Sequence, residues 1–202
     1  YNLYGIDAIN RDCSAIEISG FQTTPLSEKS RNSIANITAY WADQYRILPS
    51  SSSSEPGQWR TSRFPFIKEI MDELSPQSPR QEVVIMGGAQ VAKSECAINL
   101  IMYTIDYSPS SFLYVLPTID TAEKFSKQRL SSSISAIPRI QSKVVEQKQK
   151  FKDANSNTIM IKNFQGGVLI LAGANSAPGL RQMPIERLVL DEKGIAVLSR
   201  KL

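Results

Sequence analysis

The chain has 202 residues, 42% of them hydrophobic and 21% charged, which is enough for one good-sized core and a small appendage. It has no histidine and only two cysteines, Cys13 and Cys96. That excludes Ser-His-Asp chemistry, histidine general bases, a zinc ribbon and a disulfide scaffold, and it suits a reducing cytosol. No apolar run approaches the roughly 18–20 residues that span a bilayer, and a net charge of +4 is only a mild push toward a polyanionic partner.

Residues 1–36 lack strong periodicity. "SIANITAYWADQYRIL" (33–48) reads as an amphipathic packing helix, with Ile34, Ile37, Tyr40, Trp41, Tyr45 and Leu48 near one face. Residues 49–58, with their run of serines, read as a linker, because such a composition cannot bury a core. The expected division is therefore a partly helical N-terminal segment (1–48), the Ser-rich linker (49–58) and one domain (59–202). "FPFIKEIMDELSP" (64–76) reads as a helix carrying Ile67, Ile70, Met71 and Leu74 at helical spacing.

From there the pattern alternates strand and helix. "EVVIMGG" is expected as a short buried strand, residues 93–106 as a helix, "SFLYVLPT" (111–118) as a strand and residues 119–137 as a helix. "TIMIKNF" and "GGVLILAGA" predict a strand pair about a Gly-containing turn, and "IERLVLDE" (185–192) predicts a last apolar strand. Strands joined through helices imply a three-layer α/β fold with a mostly parallel central sheet.

With no histidine, the catalytic vocabulary is carboxylates, Lys, Arg, hydroxyls and a hard cation such as Mg²⁺ held through oxygen. "VVIMGGAQVAKSE" (83–95) places a glycine-rich turn between strand and helix. Backbone N–H groups over Gly87, Gly88, Ala89, Gln90, Val91 and Ala92 could wrap a phosphate at the helix N-terminus, Lys93 could reach the outer phosphates, and Ser94 could ligate Mg²⁺. Ala92 stands where the usual pattern has its second glycine. If that position needs φ > 0, the methyl costs about 1 kcal/mol. "RLVLDE" delivers two carboxylates at a strand end, with Asp191 suited to hold Mg²⁺ and Glu192 to activate the attacking water. "GANSAPGLRQ" brings Arg181 into a flexible loop just upstream. A surface arginine in a turn explains it as well as a role in charge neutralisation does.

In its order of pieces the sequence resembles the ATPase domain of the large terminase subunits of tailed bacteriophages, in particular the lambda-like branch. The pieces are "YWADQYRIL", "PGQWRTSRFPFIKEIMDEL", "VVIMGGAQVAKSE", "LYVLPTIDTAEKFSKQRL" and "LILAGANSAPGLRQMPIERLVLDE". The resemblance implies a P-loop NTPase of the helicase-like, additional-strand type that hydrolyses ATP with Mg²⁺ to drive DNA into a capsid. It implies that Lys93 and Ser94 are the Walker A pair, Asp191 and Glu192 the Walker B pair with Glu192 catalytic, and Arg181 an arginine finger. Trp59, Arg60 and Phe64 become candidates for adenine contact. Lys124, Lys127 and Arg129 become candidates for phosphate contact, beside the plainer account of a solvated helix face. The partners implied are double-stranded DNA, the small terminase subunit, the portal and capsid, and further copies of the chain in a working motor, all in the host bacterial cytoplasm without a membrane.

The chain runs only ten residues past Glu192, through "KGIAVLSRKL". The expectation is an incomplete motor core without the nuclease domain of the family, as a truncated gene product or a fragment. Two other readings stay open at this level: a non-catalytic prophage remnant that binds a terminase partner, and a helicase-like translocase unrelated to packaging.

Overall fold

The structure, a computed structural model, describes residues 38–75, 78–87, 91–150, 159–175, 184–192 and 195–200, with the backbone alone for 145–150, 192 and 195–200. Helix α1 (Thr38–Tyr45) buries Thr38, Ala39, Trp41 and Ala42. The expected stripe is rotated, because Tyr40 and Tyr45 are exposed. Two short alanines let the helix approach its neighbour closely, and the Trp41 indole N–H donates to Asp106 at 2.8 Å, which fixes the face that turns inward. Residues 33–37 of the expected helix lie outside the described residues.

The serines of the expected linker form the loop of a two-stranded hairpin. Strands β1 (Ile47–Leu48) and β2 (Gly57–Gln58) pair through Ile47↔Gln58 and Leu48↔Gly57. Helix α2 (Phe66–Glu73) follows, buries Ile67 and Met71, and carries Leu74 at its C-terminal end, as the spacing predicts.

The main sheet has six described strands: β3 (Glu82–Met86), β4 (Phe112–Leu116), β5 (Ile161–Phe164), β6 (Gly167–Gly173), β7 (Arg187–Glu192) and β8 (Ile195–Arg200). Their order is β3-β8-β7-β4-β6-β5. Strand β4 is parallel to β6 and β7, while β8 is antiparallel to β7 and β3, and β5 to β6. Hence β3, β4, β6 and β7 all run one way, and Met86, Leu116, Gly173 and Glu192 arrive at one edge of the sheet. Gly166 takes φ +83 in the β5–β6 turn, where it supplies the left-handed residue of the expected strand pair.

Strand β8 departs from the expectation of strands linked only through helices. "IAVLSR" returns directly from β7, with Glu192 opposite Ile195, and inserts between β7 and β3. Among the described residues β3 has no strand on its other side, and it is largely exposed rather than buried. Only Ile85 is buried, while Val84 and Met86 are 52% and 78% exposed.

Helix α3 (Lys93–Asp106) is buried along most of its length from Cys96 onward. The helix expected over 119–137 is three joined pieces: α4 (Ile119–Lys124), a π-helical turn (Phe125–Leu130) and α5 (Ser131–Ala136). Helix α6 (Pro138–Lys150) has no counterpart in the sequence reading. Its apolar signal is only Ile140 and Val144 at i, i+4, set among charged residues, yet both are buried. Proline is well tolerated at such a first position because its missing N–H has no helical partner there.

The two sheet faces carry separate clusters. Phe112, Tyr114, Leu116, Leu169, Leu171 and Val189 join the helices in the main core. Leu113, Val115, Ile170 and Ala172, with Leu188 and Leu190, form the second cluster. The described helices contribute buried side chains to the first cluster alone, so the described residues supply two of the three expected layers.

Candidate active site

The shared strand edge assembles the site. Strand β3 ends at Met86, and after Gly87 the chain reaches Ala92 and enters α3. Ala92 has φ 58 and ψ 18, the left-handed conformation, at the N-cap of α3. It is the one non-glycine residue with positive φ among the described residues. The Ala92 carbonyl accepts the first helical bond, from Cys96 N–H at 3.0 Å. The helix thus opens directly after the glycine-containing loop, and its N-terminal end carries the partial positive charge that favours an anion. Gly88, Ala89 and Gln90 lie outside the described residues.

Lys93 folds its ammonium over the loop and donates to the Gly87 carbonyl at 2.7 Å. Ser94, one residue on, turns toward the end of β7, where its Oγ donates to Asp191 Oδ2 at 3.3 Å. A hydroxyl and a carboxylate from two segments far apart in sequence therefore meet in space. Asp191 receives a second, shorter bond from Tyr114 Oη at 2.5 Å. Tyr114 lies opposite Val189 in the β4–β7 register, so Asp191 is its diagonal neighbour on the same face. Burial raises the Tyr114 phenol well above its ordinary pKa and the Asp191 charge raises it further, which keeps the hydroxyl a donor. Glu192 closes β7 through its backbone pairing with Ile195. Arg181 lies outside the described residues.

Behind the loop stands a charged network that the sequence reading missed. Glu95 accepts from Arg46 at 3.1 Å and from Arg129 at 2.7 Å. Arg46 is 1% exposed, and its guanidinium also donates to Asn99, Ser133 and the Ile47 carbonyl. Burial lowers its pKa below the ordinary arginine value, and the nearby Glu95 charge opposes that. Arg129 sits over the Phe125 ring at 5.9 Å. It is thus turned toward Glu95 at the start of α3, with its side chain half-buried. Lys127 pairs with Glu123 one turn away, and Lys124 is exposed. The available signal was the acid directly after "KS" together with arginines at distant positions, which shows no periodicity.

The aromatic candidates divide. Trp59 is buried, its indole N–H donating to Thr61 Oγ1 at 3.0 Å and its ring stacked on Phe64 at 6.3 Å. Arg60 is exposed. Phe64 meets Phe66 edge-on at 6.3 Å, and Phe66 helps line a cavity of about 240 Å³ beside the loop. Ile70, Met86, Gly87, Val91, Lys93 and Cys96 line it too. Burial pushes the Cys96 thiol up to about 12, so it lines the cavity as a neutral apolar group. Of the aromatic run, Phe66 is the ring that reaches the loop.

Near the other end of the site, Gly173 closes β6 against the turn after β4. A Cβ there would come within 2.5 Å of the Ile119 backbone nitrogen, so only glycine permits that approach. The Ala174 N–H donates to the Leu116 carbonyl at 2.7 Å and ties the two strand ends together.

A loop lysine, a helix-opening serine and a strand-end aspartate are thus gathered at one edge of the sheet. The family model for the phage terminase large subunit gpA ATPase domain matches residues 53–195, which span every one of these groups. The chain belongs to this family. It is an ATPase domain of the terminase large subunit, the motor that packages phage DNA. No curated protein and no solved structure matches the chain. No described helix is long and apolar enough to cross a membrane.

Proposed function

We propose that the chain is a P-loop NTPase domain of the additional-strand type, which binds ATP with Mg²⁺ at the edge shared by β3 and β7 and hydrolyses it to move double-stranded DNA. The observation that carries this reading is the meeting of Ser94 Oγ with Asp191 Oδ2 at 3.3 Å, one residue after a lysine whose ammonium lies on the Gly87 carbonyl of the loop. Two oxygen donors so placed fit a hard divalent cation, which usually takes one or two protein oxygens and completes its shell with phosphates and water. Strand β8, lying between β3 and β7, supports the additional-strand assignment.

Bound Mg-ATP would supply the phosphoryl group and the charge that draws in its ligands. The chain's own residues do the positioning. Ser94 and Asp191 hold the cation, Lys93 exchanges the Gly87 carbonyl for phosphate oxygens, and the amides opening α3 take the remaining negative charge. Glu192 is the proposed base for the attacking water and Arg181 the proposed transition-state cation, supplied across a subunit boundary in the assembled ring. Phe66 replaces Trp59 as the proposed base contact, since its ring lines the cavity beside the loop. DNA, the small terminase subunit, portal and capsid are the proposed partners. The host cytoplasm is the proposed setting, and residues 59–202 the proposed motor domain.

The decisive experiment is calorimetric titration of Mg-ATP into the full chain and into Lys93→Ala. Lys93 is partly exposed, so its truncation spares the core. Binding that disappears in the variant supports the site; equal binding by both proteins refutes it.

A further inference from the structure

Two side chains of the proposed metal site, Ser94 and Asp191, are joined by a second route that avoids the metal position. From Asp191 it runs to Tyr114 Oη at 2.5 Å. The Tyr114 ring stacks on Phe125 with centroids 4.8 Å apart and planes within 8°. Arg129 covers the Phe125 ring and reaches Glu95 at 2.7 Å, and Glu95 is the next residue after Ser94. Phe125 and Arg129 both belong to the π-helical turn. The wider π turn places the two residues so that one stacks on β4 while the other reaches α3. π turns inside α-helices are rare and concentrate at functional sites.

We propose that Tyr114 is a positioning residue that holds the Asp191 carboxylate in its metal-binding orientation, braced through Phe125 and Arg129 by Glu95 at the start of α3. The proposal rests on the reading of Asp191 as a metal ligand. A carboxylate at a strand end has free rotation about two bonds. A fully buried tyrosine whose ring is clamped by a stacked neighbour removes that freedom by holding Oδ2, the oxygen that also faces Ser94, and so fixes the direction in which the carboxylate meets the Ser94 hydroxyl. Partners that orient metal ligands in this way commonly change metal affinity by about 10-fold or more when they are removed.

The test measures the affinity of a fluorescent ATP analogue for the full chain with Mg²⁺ and with EDTA; the ratio of the two affinities isolates the metal contribution. Tyr114→Phe keeps the ring and its stack and removes only the hydroxyl. The expected result is a ratio lowered by about 10-fold, with the EDTA affinity unchanged. An unchanged ratio overturns the proposal. So does an equal loss in EDTA, which a merely structural role would produce. Asp191→Ala separates the two levels: if it leaves the ratio intact, or if the wild-type chain shows no metal dependence, the metal-ligand reading fails and the proposal falls with it. If Tyr114→Phe does not fold, Phe125→Leu carries the test. It leaves the hydroxyl in place and loosens the ring, and should lower the ratio about threefold, a smaller share of the same effect. A wild-type ratio in Phe125→Leu overturns the brace.

Discussion

Replacing Ala92 by glycine tests the backbone of the loop that opens α3 directly. At φ 58 an alanine methyl crowds the following carbonyl, at a cost of roughly 1–2 kcal/mol that glycine escapes. Two effects oppose the gain. Glycine has more freedom in the unfolded chain, worth about 0.4–1 kcal/mol. The methyl is partly buried against the core, and half of a buried methylene is worth about 0.4 kcal/mol. The balance is a net stabilisation of about 0.5 kcal/mol. A control with the same chemistry makes it decidable. Ala97 lies inside α3 and is 1% exposed. Ala97→Gly loses about 1 kcal/mol of helix propensity and about 0.8 kcal/mol of buried methyl, so it should destabilise by about 2 kcal/mol. The two identical substitutions, five residues apart, should then differ by about 2.5 kcal/mol and in sign, or by about 5–10 °C in Tm at this chain length. Urea unfolding of the full-length chain at constant m-value reads the difference. If Ala92→Gly destabilises as much as Ala97→Gly, Ala92 is not left-handed in the folded protein and the strain argument is refuted.

Glu95→Ala should cost about 2 kcal/mol in urea unfolding, because it strips the carboxylate from a buried Arg46 that keeps only neutral acceptors. Arg63→Ala, which breaks the exposed pair with Glu55, should cost under about 0.5 kcal/mol; equal losses in the two variants would show that Glu95 does not support the interior. Asp72 has a pKa raised to about 6, chiefly by burial, with Lys68 at 3.4 Å opposing the shift. Its proton is held more tightly in the folded state, so this contribution to stability is fully present below pH about 4 and is lost as pH rises through about 6. Asp72→Asn should therefore gain about 1 kcal/mol over wild type at pH 8 and nothing at pH 3.5, by thermal unfolding at both pH values; a gain independent of pH would refute the assignment.

Local sequence determined the pieces whose physics is local. The extent of α3 follows from its opening after a turn loop and a stretch of fourteen residues with neither proline nor glycine. Strand β4 follows from five consecutive apolar residues, and the β5–β6 pair from the glycine at its turn. The spacing of Lys93 and Ser94 and the carboxylates ending β7 mark the candidate site without reference to contacts. Tertiary structure decided what depends on neighbours. Whether Ala92 is strained required its φ, which the pattern posed as a question and the backbone answered. Tyr114 reads in sequence as one apolar position in "FLYVL"; only the parallel register of β4 with β7 makes it the diagonal partner of Asp191. Trp59 has the chemistry of a base-stacking residue, but packing turned it inward and left Phe66 at the cavity. Strand β3 has a core-like composition yet is largely exposed, because β8 is its one partner among the described strands. Helix α6 was hidden by its charges, since the two residues that bury it, Ile140 and Val144, gain their meaning from the core they meet.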